Sequence, residues 1–159
     1  MRRAISLWRL DTTSEDLVYG LKYEGREDIA RSVAHYIEKN ITLPRFDVIT
    51  YVPSDPKRRR ERGFAAPQLI ARELSRISRK PYVALLSRDK HVPQVGLGRQ
   101  ERWRNVRGNF SHLNREVLVD RRILLIDDVI TTGATITECA KTLKLAGSGP
   151  VYVLSVARK

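Results

Sequence analysis

One cysteine and one methionine are all the sulfur in this 159-residue sequence. With Cys139 alone, no intramolecular disulfide and no cysteine-built zinc site is possible, so the sequence predicts no zinc. The histidines, His35, His91 and His112, are scattered without ligand spacing and read as surface or packing residues. No apolar run approaches the roughly 20 residues of a membrane span. The opening Met1-Arg2-Arg3-Ala4-Ile5-Ser6-Leu7-Trp8 carries charge but no sustained apolar stretch, which argues against a secretory signal. The expectation is a cytoplasmic chain without membrane insertion. Internal repeats and low-complexity tails are absent, and so is the Gly-x-x-x-x-Gly-Lys-[Ser/Thr] phosphate loop. Acidic residues are scarce: 18 Asp+Glu against 30 Lys+Arg leave a net charge of +12. That excess favours polyanions, whether nucleic acid, a membrane surface or a polyphosphate; solubility alone is the plainer explanation. The length suits one compact domain with a proper core.

What is present centres on residues 123–135. Ile123, Leu124, Leu125 and Ile126 read as a strand buried on both faces, as in a parallel sheet. Asp127 and Asp128 follow where such a strand would end. Then come Thr131, Thr132, Gly133, Ala134 and Thr135, and then a helical pattern. In open α/β sheets, ligands bind beyond the carboxyl ends of the strands, and a helix N-terminus attracts anions. The threonines add hydroxyl donors, and Gly133 lets the backbone come close to a ligand. A phosphate fits this turn. The two carboxylates need a different partner, and acceptors there suit sugar hydroxyls, Mg²⁺ or both. A phosphorylated ribose meets these demands. A Walker B strand also ends in acids, but its companion phosphate loop is missing.

The rest of the chain alternates strand and helix. Residues 1–12 give no clear pattern, with Trp8 and Leu10 candidates for a sheet edge. Thr13 and Asp16 resemble a capping box before a helix bearing Leu17, Val18 and Leu21, broken at Gly25. Lys22 reads as solvated rather than as a ligand contact. A helix follows over 27–39, with Ile29, Val33, Tyr36 and Ile37 as its stripe, and 46–52 is the first core strand. Pro53 ends that strand and delivers Ser54, Asp55, Pro56, Lys57, Arg58, Arg59, Arg60, Glu61, Arg62 and Gly63 to the same end of the sheet. The run is punctuated by Pro and Gly rather than spread along a helix, and it suits pyrophosphate or a nucleic-acid backbone. Leu69, Ile70, Leu74 and Ile77 mark the next helix, and 82–86 a second short strand. Residues 87–99 are loop-like. Arg99, Arg102, Arg104 and Arg107 then recur around Trp103, which fits a lid over a polyanion or base stacking with backbone contacts. Residues 116–119 read as a short strand, 134–145 as a helix, and 151–156 as the last core strand. On that helix, Cys139 has no activating neighbour in sequence. The pattern predicts an α/β fold, a doubly wound, mostly parallel sheet flanked by helices. An N-terminal helical, hood-like segment (1–44) precedes the core (45–159) within one compact domain.

The apolar run, acidic pair and Val129-x-Thr131-Thr132-Gly133-x-Thr135 resemble the phosphoribosyl-pyrophosphate (PRPP) signature of type I phosphoribosyltransferases. The wider series is similar to the ComF family of competence-associated, phosphoribosyltransferase-like proteins. It comprises Tyr51-Val52-Pro53, Arg62-Gly63-Phe64, Pro93-Gln94-Val95-Gly96-Leu97, Arg99, Glu101-Arg102 and Asn105-Val106-Arg107-Gly108-Asn109-Phe110, followed by the signature. The segment from Tyr19 to Gly25 is also similar. Many members open with a four-cysteine zinc module that this sequence lacks, and Ala65-Ala66 stand where Asn-Gln is usual. The resemblance implies Mg²⁺ and PRPP as ligands, Mg²⁺ arriving with the substrate rather than in a protein cage. It implies Asp127 and Asp128 on the ribose hydroxyls and Thr131, Thr132, Gly133, Ala134 and Thr135 around the 5′-phosphate. It places Ser54, Asp55 and Lys57 in the pyrophosphate or metal loop. Arg99, Arg102 and Arg104 belong to a flexible lid. Together with Arg58, Arg59, Arg60, Arg62 and Trp103 they are the candidate lid or nucleic-acid contacts. It further implies a role in DNA uptake and transformation, single-stranded DNA as a partner, and a competence DNA helicase as a second one. Any base-specific hood is expected from residues 1–44. Catalysis, as a phosphoribosyltransferase, stays open beside strand binding. Nucleobase salvage and a PRPP-sensing nucleic-acid regulator are the alternatives.

Overall fold

The computed structural model describes residues 1, 3–88 and 106–159. Four parallel strands form the central sheet in the order β1-β6-β5-β2. Here β1 is Arg3–Arg9, β2 Val48–Tyr51, β5 Ile123–Ile130 and β6 Val151–Arg158. Tyr82 adds a single parallel bridge to Ile49 beyond β2. The apolar run of β5 faces both ways, as its composition requires. Leu124 and Ile126 join one buried cluster with Val33, Ile37, Ile70 and Leu74. Ile123 and Leu125 join the other, with Ile136, Cys139, Ala140 and Leu143. Helices α1 (Thr12–Tyr19), α2 (Glu27–Asn40) and α4 (Ala66–Ser78) supply the first cluster, and α6 (Ala134–Leu145) covers the opposite face. The expected doubly wound α/β architecture is therefore observed.

Several local expectations change. Residues 3–9 form β1, paired in parallel with β6 from Arg3↔Tyr152 to Arg9↔Arg158; Trp8 sits at the sheet edge as expected, whereas the helical reading of 1–44 does not hold for this part. The N-cap of α1 is Asp11, not Thr13: Ser14 N–H donates to Asp11 Oδ1 at 2.9 Å and Asp11 N–H donates to Ser14 Oγ at 2.9 Å. Serine does here what Glu does in the usual capping box. The strand expected at 82–86 lies later: β3 (Leu86–Arg88) pairs antiparallel with β4 (Phe110–His112) in a separate ribbon. Residues 116–119 fall largely in a one-turn helix, α5 (Arg115–Leu118), entered through Asn114 at φ 50. Only Leu118 of that segment is fully buried, so no sheet face needed its alternating side chains. The basic run is a helix after all, α3 (Pro56–Arg62). Asp55 caps its start, accepting from Lys57 N–H at 2.9 Å, and Gly63 ends it at φ 77. Proline and glycine mark the two ends of this helix instead of breaking it.

Two polar clusters tie neighbouring elements together. Arg122 donates through its backbone N–H (2.9 Å), Nε (2.9 Å) and a terminal nitrogen (2.6 Å) to Asp47, fastening the start of β2 to the start of β5. Those bonds hold the Asp47 carboxyl well below the usual carboxylate range. Buried Glu73 of α4 receives Arg76 at 2.7 Å and Arg72 at 3.8 Å from its own helix and Arg31 of α2 at 3.9 Å. Among the described residues no helix is long and apolar enough to cross a membrane.

Candidate functional site

The sheet ends unevenly, and that opens the site. β2 stops at Tyr51, paired with Ile126. β5 does not stop there, as its apolar run suggested; it continues along β6, with Asp127 opposite Ser155 and Val129 opposite Ala157. The acid pair therefore stands on a strand that has outrun its neighbour. After β2 the chain passes to α4 on one face, and after β5 to α6 on the other. A crevice between the carboxyl ends of two such strands is where open α/β sheets bind ligands.

The crevice is a cleft of about 450 Å³. Asp127 and Asp128 line it from β5, and Thr131, Thr132, Ala134 and Thr135 from the β5–α6 turn. Gly133 holds that turn at φ 78, and a side chain there would meet no atom within 4 Å. Its role is conformational, since the left-handed region is costly for residues with a Cβ. Helix α6 has no side-chain cap on the backbone amides of its first turn, apart from a long 3.4 Å bond from Ala134 N–H to Thr132 Oγ1. Those amides are oriented to receive an anion.

Opposite stand basic groups. From the other loop, Ser54, Asp55, Arg58 and Arg62 line the cleft, whereas Lys57, Arg59, Arg60 and Gly133 are not among the residues that line it. Asp55 is 7% exposed and oriented as the α3 cap. One cation was not singled out from sequence, and another was read there as solvated. Arg88, the last residue of β3, lines the cleft; its guanidinium lies 5.7 Å from the Phe110 ring centroid, and its buried Nε has no hydrogen-bond partner among the described residues. Burial pulls Arg88 below its ordinary value, with Asp55 partly offsetting that effect. Lys22, read from sequence as solvated, lines the cleft as well, its Nζ 3.4 Å from Asp128 Oδ2. A π-helical turn, Gly20–Glu24, re-aims it: Gly25, left-handed at φ 62, returns its N–H to Gly20 O. The signal for Arg88 was available: a basic residue closing a short apolar run, like the basic segment after β2. Arg99, Arg102, Trp103 and Arg104 lie outside the described residues.

Burial governs the acids. Asp127 is 7% exposed. Loss of water, reinforced by the neighbouring Asp128 charge, pushes its carboxyl up to about 8. Asp128 N–H donates to Asp127 Oδ1 at 2.9 Å, and Lys22 also works against the rise. The site thus has a buried carboxyl group that holds its proton toward neutral pH, in a cleft that Arg58, Arg62 and Arg88 also line.

The fold is that of the type I phosphoribosyltransferases. The solved glutamine PRPP amidotransferase of B. subtilis superposes with a TM-score of 0.58 at 21% identity, over 87% of this chain and 30% of that one. The chain is a homologue of ComF-type competence proteins. It is 34% identical to Competence protein F of Haemophilus influenzae over 115 residues, 70% of this chain and 50% of that protein. It is 25% identical to Competence protein ComFC of Streptococcus pneumoniae over 153 residues, 96% of this chain and 67% of that protein. The chain thus spans about half of the first relative's length and two thirds of the second's. No family model matches it.

Proposed function

We propose that the cleft binds PRPP with Mg²⁺, and that the protein handles single-stranded DNA in natural transformation. The observation that carries the first part is the meeting, in one cleft, of an acid pair, a hydroxyl-rich turn at a helix N-terminus and three arginines. In this reading the 5′-phosphate sits at Thr131–Thr135 and the first amides of α6. Asp127 and Asp128 accept hydrogen bonds from the ribose hydroxyls. Arg58, Arg62 and Arg88 face the diphosphate. Among the described residues no group of three or more His, Cys, Asp or Glu could hold a metal. Two carboxylates with no third donor fit a cation that arrives on substrate oxygens, with Asp127 and Asp128 as the protein's share. When bound, Mg²⁺ supplies charge neutralisation of the diphosphate. Lys22 holds Asp128 until a ligand competes for it. Phosphoribosyl transfer is the second reading; the acid pair beside a cationic wall favours it, because such transfer is helped by stabilising a cationic ribose and an anionic leaving group.

The DNA part rests on the charge of +12, on α3 with Lys57, Arg58, Arg59 and Arg60 exposed, and on the competence-protein relatives. Calorimetric titration of the full chain with PRPP and Mg²⁺ tests the first part. A single saturable site in the wild type, lost in folded Asp127→Asn, is expected; no binding by the wild type would overturn it. Titration with labelled oligodeoxythymidylate at several salt concentrations tests the second part. Steep salt dependence is expected, and negligible binding near physiological salt would remove the DNA role.

A further inference from the structure

The rim of the cleft carries an aromatic column that the PRPP reading does not use. Tyr19, at the end of α1, and Tyr23, in the π-helical turn, stack with ring centroids 4.7 Å apart. The guanidinium of Arg62 lies 4.3 Å from the Tyr23 ring centroid. Both tyrosines remain more than half exposed, at 56% and 55%. They are therefore not core residues, although each ring is large enough to contribute to one. The column adjoins the cleft: Lys22 precedes Tyr23 in sequence, and Lys22 and Arg62 both line the cavity. It also adjoins α3, whose exposed Arg58, Arg59 and Arg60 flank the same arginine.

We infer that the Tyr19–Tyr23–Arg62 column is a stacking platform for an unpaired base of single-stranded DNA, whose phosphates run along α3. Exposed aromatic rings beside a row of arginines are the two halves of single-strand recognition: a surface for the base and cations for the backbone. A base stacked inside a duplex has no free face to offer, so the platform addresses single strands. Two tyrosines on successive turns, one of them stacked on by an arginine of the basic helix, give a pre-ordered face without a sequence-specific donor set. The inference rests on the DNA reading above and assigns it a place on the molecule.

The test uses the full chain, a fluorescent oligodeoxythymidylate, and an abasic deoxyribose-phosphate strand of equal length. Tyr19→Ala/Tyr23→Ala is expected to weaken binding of the thymidylate strand about 10- to 100-fold, the range set by losing stacking on one base. The slope of affinity against salt should not change, because every cation facing a phosphate is retained. Tyr19→Phe/Tyr23→Phe should bind like the wild type. The abasic strand should bind wild type and alanine variant equally. PRPP titration should be unaltered in both variants, which also shows that they are folded. Equal thymidylate affinity for wild type and the alanine variant would overturn the platform, as would equal weakening by the Phe and Ala pairs. Failure of the wild type to bind any strand would overturn the underlying DNA reading instead, with the PRPP titration left standing.

Discussion

The two loops that meet at the cleft follow parallel strands at the same end of the sheet, yet they are built in opposite ways. The β5–α6 turn offers backbone: Gly133 is left-handed, the residues around it are small or hydroxylated, and the helix behind it keeps its first amides free of a side-chain cap. The β2–α3 loop offers side chains. There Asp55 and Pro56 close off the helix start, and Arg58 and Arg62 project from a seven-residue helix. A backbone cradle fixes an anion at one place with little entropy to lose. Long arginines reach a more extended anion and adapt to it. One ligand with a compact phosphate at one end and a diphosphate at the other needs both kinds of wall.

The largest effect should come from removing the acid pair's contribution. Asp127→Asn is expected to reduce affinity for PRPP with Mg²⁺ by roughly 100-fold or more, as a lost charged hydrogen-bonding partner in a buried site would; calorimetry reads it. The same variant exposes a linkage. In the ligand-free chain the Asp127 carboxyl is raised from 3.8 to about 8, so the folded state holds a proton that the unfolded state releases. Its contribution to stability is complete below about pH 4 and lost as pH rises through about 8. Thermal midpoints of the wild type should therefore fall over that interval at this group's expense, and Asp127→Asn should flatten the fall.

The cationic wall comes next. Arg88→Met is expected to weaken PRPP by about tenfold to a hundredfold and to leave ligand-free stability equal or higher, because it removes a buried guanidinium nitrogen that has no hydrogen-bond partner among the described residues. A drop in ligand-free stability on chemical unfolding would mean that Arg88 is structural. For the outward side of α3, Arg59→Ser/Arg60→Ser should leave PRPP affinity alone and lower the salt slope of strand binding by about 0.7 for each phosphate no longer neutralised. Smallest are the backbone effects. Gly133→Ala, strained only by its φ of 78, should cost about 1 kcal/mol. Gly25→Ala should cost more on the same unfolding measurement, since its added Cβ would also meet Phe64 Cε1 at 2.6 Å.

The same contrast separates what was legible in the sequence from what was not. The β5–α6 arm could be read because its meaning is local: four apolar residues, two acids, small hydroxylated residues and a glycine leave few conformations and few ligands. The architecture was legible for a similar reason, since strand and helix periods alternate along the chain. The basic arm was legible as charge only. Whether Arg58 or Arg59 faces the cleft depends on the rotation of a short helix, which Asp55 and Gly63 set. Arg88 was passed over although it closes a short apolar run, and Lys22 was read as solvated. Each is brought in from a distant element, one by an antiparallel ribbon and the other by a π-helical turn. The extension of β5 past Ile126 was hidden too, because carboxylates in a strand look like its end until β6 is seen to pair alongside.

Backbone hydrogen exchange of the full chain with and without PRPP and Mg²⁺ tests the central claim most directly, because it reads both arms at once. Protection is expected to rise at the amides from Thr131 through Thr137 and in α3, and to stay unchanged in α2, on the outer face of the sheet. Protection confined to one arm, or no change at either under saturating ligand, would contradict a cleft in which the two walls hold a single phosphorylated ribose between them.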